Sequence, residues 1–383
     1  MLHFDRAEFA ARLQATLAAM AEARLDALLV FRQESMFWLT GYDTFGYVYF
    51  QCLVLRADGR MALLTRRPDL LQARLTSVID DVRVWIDRDG AIPQAELLPL
   101  LAELGLAGKH LGIEFESYGL TGASCLKLLA ALDGVAMHRD ASFLISRLRL
   151  KKSPAEIAYV RHAVALADDA LDAAHRLAAP GADEAAIHAA MRAAVLAGDG
   201  DDPGNPFIIG SGDHALLVRY HSGRRKLSAR DQLTLEFAGT YRHYHACLMR
   251  TICIGEATPQ HVRFHAAATA ALLACIAACR PGNTLDHVFR AHADTFDQAG
   301  LGAARLNACG YALGATFQPN WMDWPMIVSG NPVVIEPGQV FFLHMILADA
   351  KTNTAMAPGL TVLVGETGAE VLSRHDTALV VHG

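Results

Sequence analysis

The run Lys152-Ser-Pro-Ala-Glu-Ile157 constrains this chain more than any other six residues in it. Ser153 is a residue type that accepts a hydrogen bond from the first turn of a helix. Pro154 has its φ already set for the first helical position, and Glu156 stands where a side chain reaches back to the cap. A helix therefore begins here, and the apolar spacing beyond predicts an amphipathic helix to about Leu177. So sharp a start divides the 383 residues into two parts of ordinary domain size, 1–150 and 151–383. Apolar residues make up 52% and charged residues 19%, which is enough apolar material to close a core in each part.

The first part alternates helix and strand patterns. Asp5 with Glu8 predicts a capping box for a helix carrying Phe9, Leu13, Leu17 and Met20 on one face. Strands are expected at Leu28–Phe31, Val48–Leu55, Met61–Thr65 and Leu111–Glu114, with Asp58-Gly59 as a hairpin turn. Helices are expected at Leu70–Leu75 and Ala95–Leu104, which makes this an α/β unit. The second part predicts helices at 154–177, 183–197, 258–279 and 284–299. Its strands are expected at Phe207–Ile209, Ala215–Tyr220, Gln232–Ala238, Ala246–Ile254, Val333–Ile335, Val340–Leu347, Leu360–Val364 and Ala378–Val381. Helices outside a mostly antiparallel sheet give an α+β class.

Several function classes are disfavoured by the same sequence. The net charge is −6 and no Lys/Arg block tracks a phosphate backbone, so a nucleic-acid partner is not expected. The seven cysteines (52, 125, 247, 253, 275, 279 and 309) are odd in number and contain no C-x-x-C pair, which suits reduced thiols in the cytoplasm. MLHFDRAEFAARL carries charge by Asp5 and has no apolar core, so no secretory signal is expected. The longest apolar stretch, Ala266–Cys279, has 14 residues and reads as a buried Ala-rich helix with no membrane role. The aspartates of Gly198–Pro206 lack the spacing of a calcium loop.

Glu236 is the leading chemical candidate. It sits among Leu233, Leu235 and Phe237, and strand alternation turns its side chain to the opposite face. A carboxylate held there in a partly dry pocket has the raised pKa of a nucleophile or general base. His243 and His245 share a strand face by the same alternation, and either imidazole could move a proton or sit solvated or satisfied in the core. His344 lies in an apolar strand and needs a partner. Arg219, Arg224 and Arg225 are candidates to clamp a carboxylate, with Arg219 preferred because the other two fall in a turn, His221–Lys226. Trp38, Tyr42, Phe45, Trp321 and Trp324 could box a flat or cationic substrate or belong to the core. Cys247 and Cys309 show no base and no electropositive setting, so packing is the expected role of these thiols.

Four motifs in order resemble the creatinase–prolidase ("pita-bread") family. They are Trp38-Leu-Thr-Gly-Tyr-Asp43, Lys152-Ser-Pro-Ala-Glu-Ile157, Arg250-Thr251 at a strand end, and Glu336-Pro-Gly338 before a strand. The resemblance implies a creatinase-like α/β N-terminal domain and a C-terminal pita-bread catalytic domain. It also implies a homodimer in which an N-terminal loop completes the neighbour's site. Metal-dependent members hold two ions with two Asp, one His and two Glu. The corresponding places here carry Glu236, Cys247, Tyr311 and His344, with the last near Gly359. One carboxylate, one thiol and one imidazole are too few hard ligands for such a centre, so no metal and no cofactor are expected.

Two metal-free branches of the family are creatinase and ectoine hydrolase. Arg219 and Met249 depart from the creatinase pattern. Glu236, Gly239, His243-Tyr-His245, Arg250-Thr251 and Gly310-Tyr-Ala-Leu-Gly314 followed by Pro319-Asn-Trp321 resemble ectoine hydrolase, whereas Arg219-Tyr-His221 and Trp321–Met326 do not. The expectation is a metal-independent hydrolase of a C–N bond in a small zwitterion. Glu236, His245 and His344 would be catalytic, and Arg219, Tyr42, Trp38, Tyr311, Trp321 and Cys247 would bind substrate. The alternatives are a metal-dependent Xaa-Pro aminopeptidase or dipeptidase, and a catalytically inactive module that binds a peptide or metabolite.

Overall fold

The computed structural model describes residues 2–220 and 223–383. The chain forms two compact units, Met1–Arg149 and Leu150–Gly383.

The N-terminal unit runs α1 (Arg6–Glu22), β1 (Ala27–Val30), α2 (Gln33–Thr40), β2 (Cys52–Arg56), β3 (Met61–Arg66), α3 (Leu70–Thr76), β4 (Asp81–Trp85), α4 (Leu97–Glu103), β5 (His110–Ile113), α5 (Gly122–Leu132), β6 (Met137–Asp140) and α6 (Leu144–Leu150). Its strands form one sheet in the order β4-β3-β2-β1-β5-β6. Residues of β1 alternate between two cores. Leu29 and Phe31 pack with Val54 and Leu101 on one face, and Leu28 and Val30 with Met36 and Leu53 on the other. Near-continuous apolar strands are what burial of both faces demands.

The Trp38–Tyr42 segment has a structural explanation. Trp38 closes the last turn of α2, and Gly41 ends that helix at φ 83 with its N–H on Phe37 O at 2.7 Å. A Cβ at Gly41 would lie 2.8 Å from Thr76 O, so only glycine fits there. Trp38 is buried under the Arg12 guanidinium, and Arg12 donates to its carbonyl at 2.8 Å. Tyr42 is wholly buried and donates to Gln51 Oε1 at 3.2 Å. Both belong to the core of this unit and are not free to line a pocket, which corrects the expectation for them. Phe45 and Tyr49, farther along this loop, are exposed.

The C-terminal unit opens with α7 (Pro154–Leu177), and the Ser153–Glu156 capping box is formed in full. Next come α8 (Glu184–Ala197), β7 (Ile208–Ser211), β8 (Asp231–Tyr241), β9 (Tyr244–Ile254), α9 (Pro259–Ala278) and α10 (Leu285–Gln298). The remaining strands are β10 (Ala308–Ala312), β11 (Asp323–Val328), β12 (Val340–His344), β13 (Leu347–Asp349), β14 (Thr354–Met356), β15 (Gly359–Val364), β16 (Ala369–Val371) and β17 (Val380–His382). The main sheet has the order β11-β10-β12-β15-β9-β8-β7, with β16 on β15 and β17 parallel to β9. The helix α7 lies against the β8–β9 hairpin, where Ala163 and Val164 pack on Ala246.

Gly239 permits that approach. A Cβ there would stand 2.0 Å from Ala163 O and 2.4 Å from Ala167 N, both rigid helix backbone. Gly239→Val is expected to lower stability by more than about 3 kcal/mol, read as a lower denaturant midpoint. A loss below about 0.5 kcal/mol would contradict the packing described.

Local departures have local causes. Ala215–Tyr220, expected as a strand, begins in a 3-10 turn (Gly212–Leu216). Val48–Gln51 precedes the strand, which starts only at Cys52. Val333–Ile335 makes one isolated bridge, Val334 with Thr284, and no strand. His243 is not on a strand face. With Arg242 it forms the β8–β9 turn at φ 66 and 48, and its ring stacks on Phe317. His221 lies outside the described residues. The apolar run at 266–279 belongs to a 20-residue helix, α9, which is long and apolar enough to cross a bilayer by length and composition. In this fold Phe264, Ala268, Leu272 and Cys275 of that helix are buried in the unit.

Candidate active site

Strand register gathers the candidate residues. Directly paired residues point to the same sheet face. Ile208 pairs with Glu236, Glu236 with Met249, Met249 with Gly359, and Gly359 with His344. One row therefore crosses five strands, from β7 to β12. A second row on the same face holds Cys247 opposite Ala238, and Tyr311 opposite Phe342. The Thr361 hydroxyl ties β15 to β9 within the second row, accepting from Cys247 N and donating to Cys247 O, each at 2.9 Å. Gly239, three residues beyond Glu236, faces α7 on the other side.

Glu236 is 5% exposed. Burial lifts its carboxyl to about 7, and the Arg219 charge and a hydrogen bond from Tyr311 pull it back only in part. The Tyr311 hydroxyl donates to Glu236 Oε1 at 3.5 Å and accepts from Trp321 Nε1 at 2.8 Å. The indole N–H occupies one side of the phenol oxygen, which leaves the phenol's own proton for the carboxylate or for the neighbouring Cys247 sulfur. Tyr311 and Cys247 are both pushed well above their ordinary pKa by burial first and the Glu236 charge among other causes, so both stay protonated. Arg219 is exposed, within electrostatic reach of both Glu236 and His344.

His344 stands on this face with its ring 5.7 Å from that of Tyr311 and 5.4 Å from that of Phe342. Its Nδ1 is enclosed, with no partner among the described residues. Burial drops its pKa to about 3, so it is a neutral imidazole at physiological pH and not a ready proton carrier. The structure puts His245 to a different use from proton transfer to Glu236. Its Nε2 accepts from Gly204 N at 2.8 Å, and its Nδ1 meets Thr316 Oγ1 at 3.0 Å. Arg225 joins Ser211 and Asp231, away from this constellation, and Arg224 N donates to Glu184.

A two-ion centre does not fit this donor set. Glu236 is its single carboxylate, beside a protonated thiol, a protonated phenol and one imidazole. The place nearest the last expected ligand is closed. A Cβ on Gly359 would lie 2.9 Å from the Phe342 ring and 3.0 Å from Met249 Cβ. Among the described residues, no group of three or more His, Cys, Asp or Glu side chains is arranged to hold a metal ion.

Sequence reasoning did not single out Phe342, Thr361 or Asn205. Asn205 Oδ1 accepts from Trp321 N at 3.2 Å, and its loop walls a cavity of about 260 Å³ with His188, Arg192, Phe207, Gln318 and Pro319. The Gly198–Pro206 composition marks a loop but carries no sign of that contact.

The sequence profile of metallopeptidase family M24 matches residues 158–370, and that of the creatinase/prolidase N-terminal domain matches residues 12–151. An ectoine hydrolase of Halomonas elongata is 26% identical, over 99% of this chain and 98% of its own. A probable dipeptidase PepE of Mycobacterium tuberculosis is 28% identical over 89% of this chain and 88% of its own. Among solved structures, dipeptidase PepE from Mycobacterium ulcerans superposes with a TM-score of 0.86 at 26% identity, covering 99% of both chains. An Xaa-Pro dipeptidase from Bacillus anthracis superposes at 0.84 with 20% identity, over 97% of this chain and 99% of the other, a likeness of fold.

Proposed function

This chain belongs to metallopeptidase family M24 and carries a creatinase/prolidase N-terminal domain, and from that premise we propose that it hydrolyses a C–N bond of a small zwitterion without metal. The observation that carries the reading is the lone, buried Glu236 carboxyl near pH 7 in a place where a two-ion centre needs several acids. A group with that pKa takes a proton from water as the water attacks, and afterwards gives that proton to the leaving nitrogen. In the water route, the ionised Glu236 removes a proton as the water oxygen bonds the substrate carbon. The protonated Glu236 then delivers that proton to nitrogen as the C–N bond breaks. In this reading the Tyr311 O–H holds the carboxylate and Arg219 attracts a substrate carboxylate, supported by their hydrogen bond and charge at Glu236.

An amidine, lactam or amide fits this chemistry, and the ectoine hydrolase relative makes ectoine the first compound to test. A metal-dependent dipeptidase is the rival, because relatives of equal similarity bear that name. The proposal also takes the protein as a cytoplasmic homodimer, a setting that suits its seven free cysteines. The deciding assay gives the purified protein ectoine, creatine analogues and Xaa-Pro dipeptides, with and without chelator. Chelator-resistant turnover of a small C–N compound is expected. Cleavage of Xaa-Pro dipeptides that requires added divalent metal would overturn the reading.

A further inference from the structure

We propose that His245 is a positioning residue that sets Trp321, and through it Tyr311, against Glu236. The proposal rests on the reading of Glu236 as the reacting carboxylate, but its geometry stands apart from any substrate. Gly204 N–H donates to His245 Nε2, so that nitrogen is unprotonated and the hydrogen sits on Nδ1. Nδ1–H then donates to Thr316 Oγ1 at 3.0 Å, and the Thr316 hydroxyl donates to Trp321 O at 3.2 Å. Trp321 is held at its other backbone group too, where its N–H donates to Asn205 Oδ1 at 3.2 Å. With both main-chain groups fixed, the indole N–H reaches Tyr311 OH at 2.8 Å, and Tyr311 reaches Glu236.

Every donor in this series points the same way along it. Gly204 and Asn205 belong to one loop, Thr316 and Trp321 to another, and the imidazole bonds both. His245 is 1% exposed, Thr316 2% and Trp321 2%, so water does not compete for these bonds. A side chain must accept on one end and donate on the other to keep the series intact. Neutral histidine and glutamine satisfy that requirement, and leucine does not.

The test compares His245→Leu, His245→Gln and Thr316→Val, each checked for a cooperative unfolding transition. Two readouts need no turnover: the indole N–H resonance of Trp321, assigned with Trp321→Phe, and the titration of the Glu236 carboxyl. His245→Leu is expected to shift the resonance and to raise the Glu236 midpoint by about half a unit or more, as the Tyr311 bond weakens. His245→Gln should restore both toward wild type. Should His245→Leu fail to fold, Thr316→Val cuts the next link while leaving His245 on Gly204, and the same two shifts are expected. A folded His245→Leu, or failing that Thr316→Val, with both readouts unmoved overturns the proposal. Shifted readouts in an enzyme that turns over nothing would leave His245 in place and refute only the assigned reaction.

Discussion

Glu236→Gln is expected to yield a protein that folds, is more stable than wild type at pH 8, and has lost at least about 10³-fold in kcat. The two effects share one cause. The Glu236 carboxyl titrates near 7 in the folded protein against an ordinary 4.5. Below pH 4.5 both folded and unfolded forms are protonated there, and the group exerts no pH-dependent effect. From 4.5 to about 7 the unfolded chain ionises first, so stability falls as pH rises, and above 7 the loss is complete. That difference corresponds to roughly 3 kcal/mol. Glutamine is neutral at every pH and keeps an oxygen for the Tyr311 hydroxyl. Urea denaturation at pH 8 and a kcat measurement check both parts. A variant less stable than wild type, or one retaining turnover within tenfold, would contradict the account.

Acid should destabilise the protein in two stages. His245 and His344 are fully buried, neutral, and depressed from 6.5 to about 3. Each adds stability that is present above pH 6.5 and lost as pH falls toward 3, because the unfolded chain takes the proton first. The slope is about 1.4 kcal/mol per pH unit for each group. Glu236 and Glu114 oppose them, since both are lifted to about 7 by burial and return stability as pH falls from 7 to 4.5. Two histidines against two carboxyls leave these four groups nearly balanced between 6.5 and 4.5. Below 4.5 the carboxyl gain ends and the histidine loss continues at about 3 kcal/mol per unit. His292 and the partly exposed His175, both lowered to about 4, add a further decline over the upper range, which solvent screening reduces for His175. Urea midpoints measured from pH 7 to 3.5 should therefore fall from about 6.5 onward, and fall more steeply once the carboxyl gain ends near 4.5. His245→Gln should lessen the slope by about 1.4 kcal/mol per pH unit, and Glu114→Gln should steepen the loss between 6.5 and 4.5 by a similar amount. A uniform decline unchanged by either variant would contradict the assignment of these groups.

Features that depend on nearest neighbours in the chain were legible from sequence. The Ser153-Pro154-Glu156 start of α7 and the inward turn of Glu236 follow from local capping and strand alternation. Their consequence, one face carrying Glu236, Cys247, Tyr311 and His344, followed from resemblance and is realised by register across five strands. What sequence could not show depends on distant partners. His245 looks like a mobile proton carrier until a glycine 41 residues earlier is seen to bond it. Trp38 and Tyr42 look like pocket aromatics until Arg12 and Gln51 are seen to bury them. Glu114 resembles any strand-end acid, yet it accepts from Phe31 N, Arg32 N and Ser35 Oγ and caps the start of α2. The strand β10 escaped because Cys-Gly-Tyr carries little strand signal, and Gly310 is there so that Phe342 O can approach.

The central claim is that a single buried carboxylate works without metal in a chain that belongs to a metallopeptidase family. The most direct measurement is the divalent-metal content of the purified protein by mass spectrometry, taken together with turnover after exhaustive chelation. The account predicts no stoichiometric metal and unchanged turnover of the C–N substrate. Tightly held metal near two ions per chain, with activity that vanishes on chelation and returns on metal addition, would contradict it.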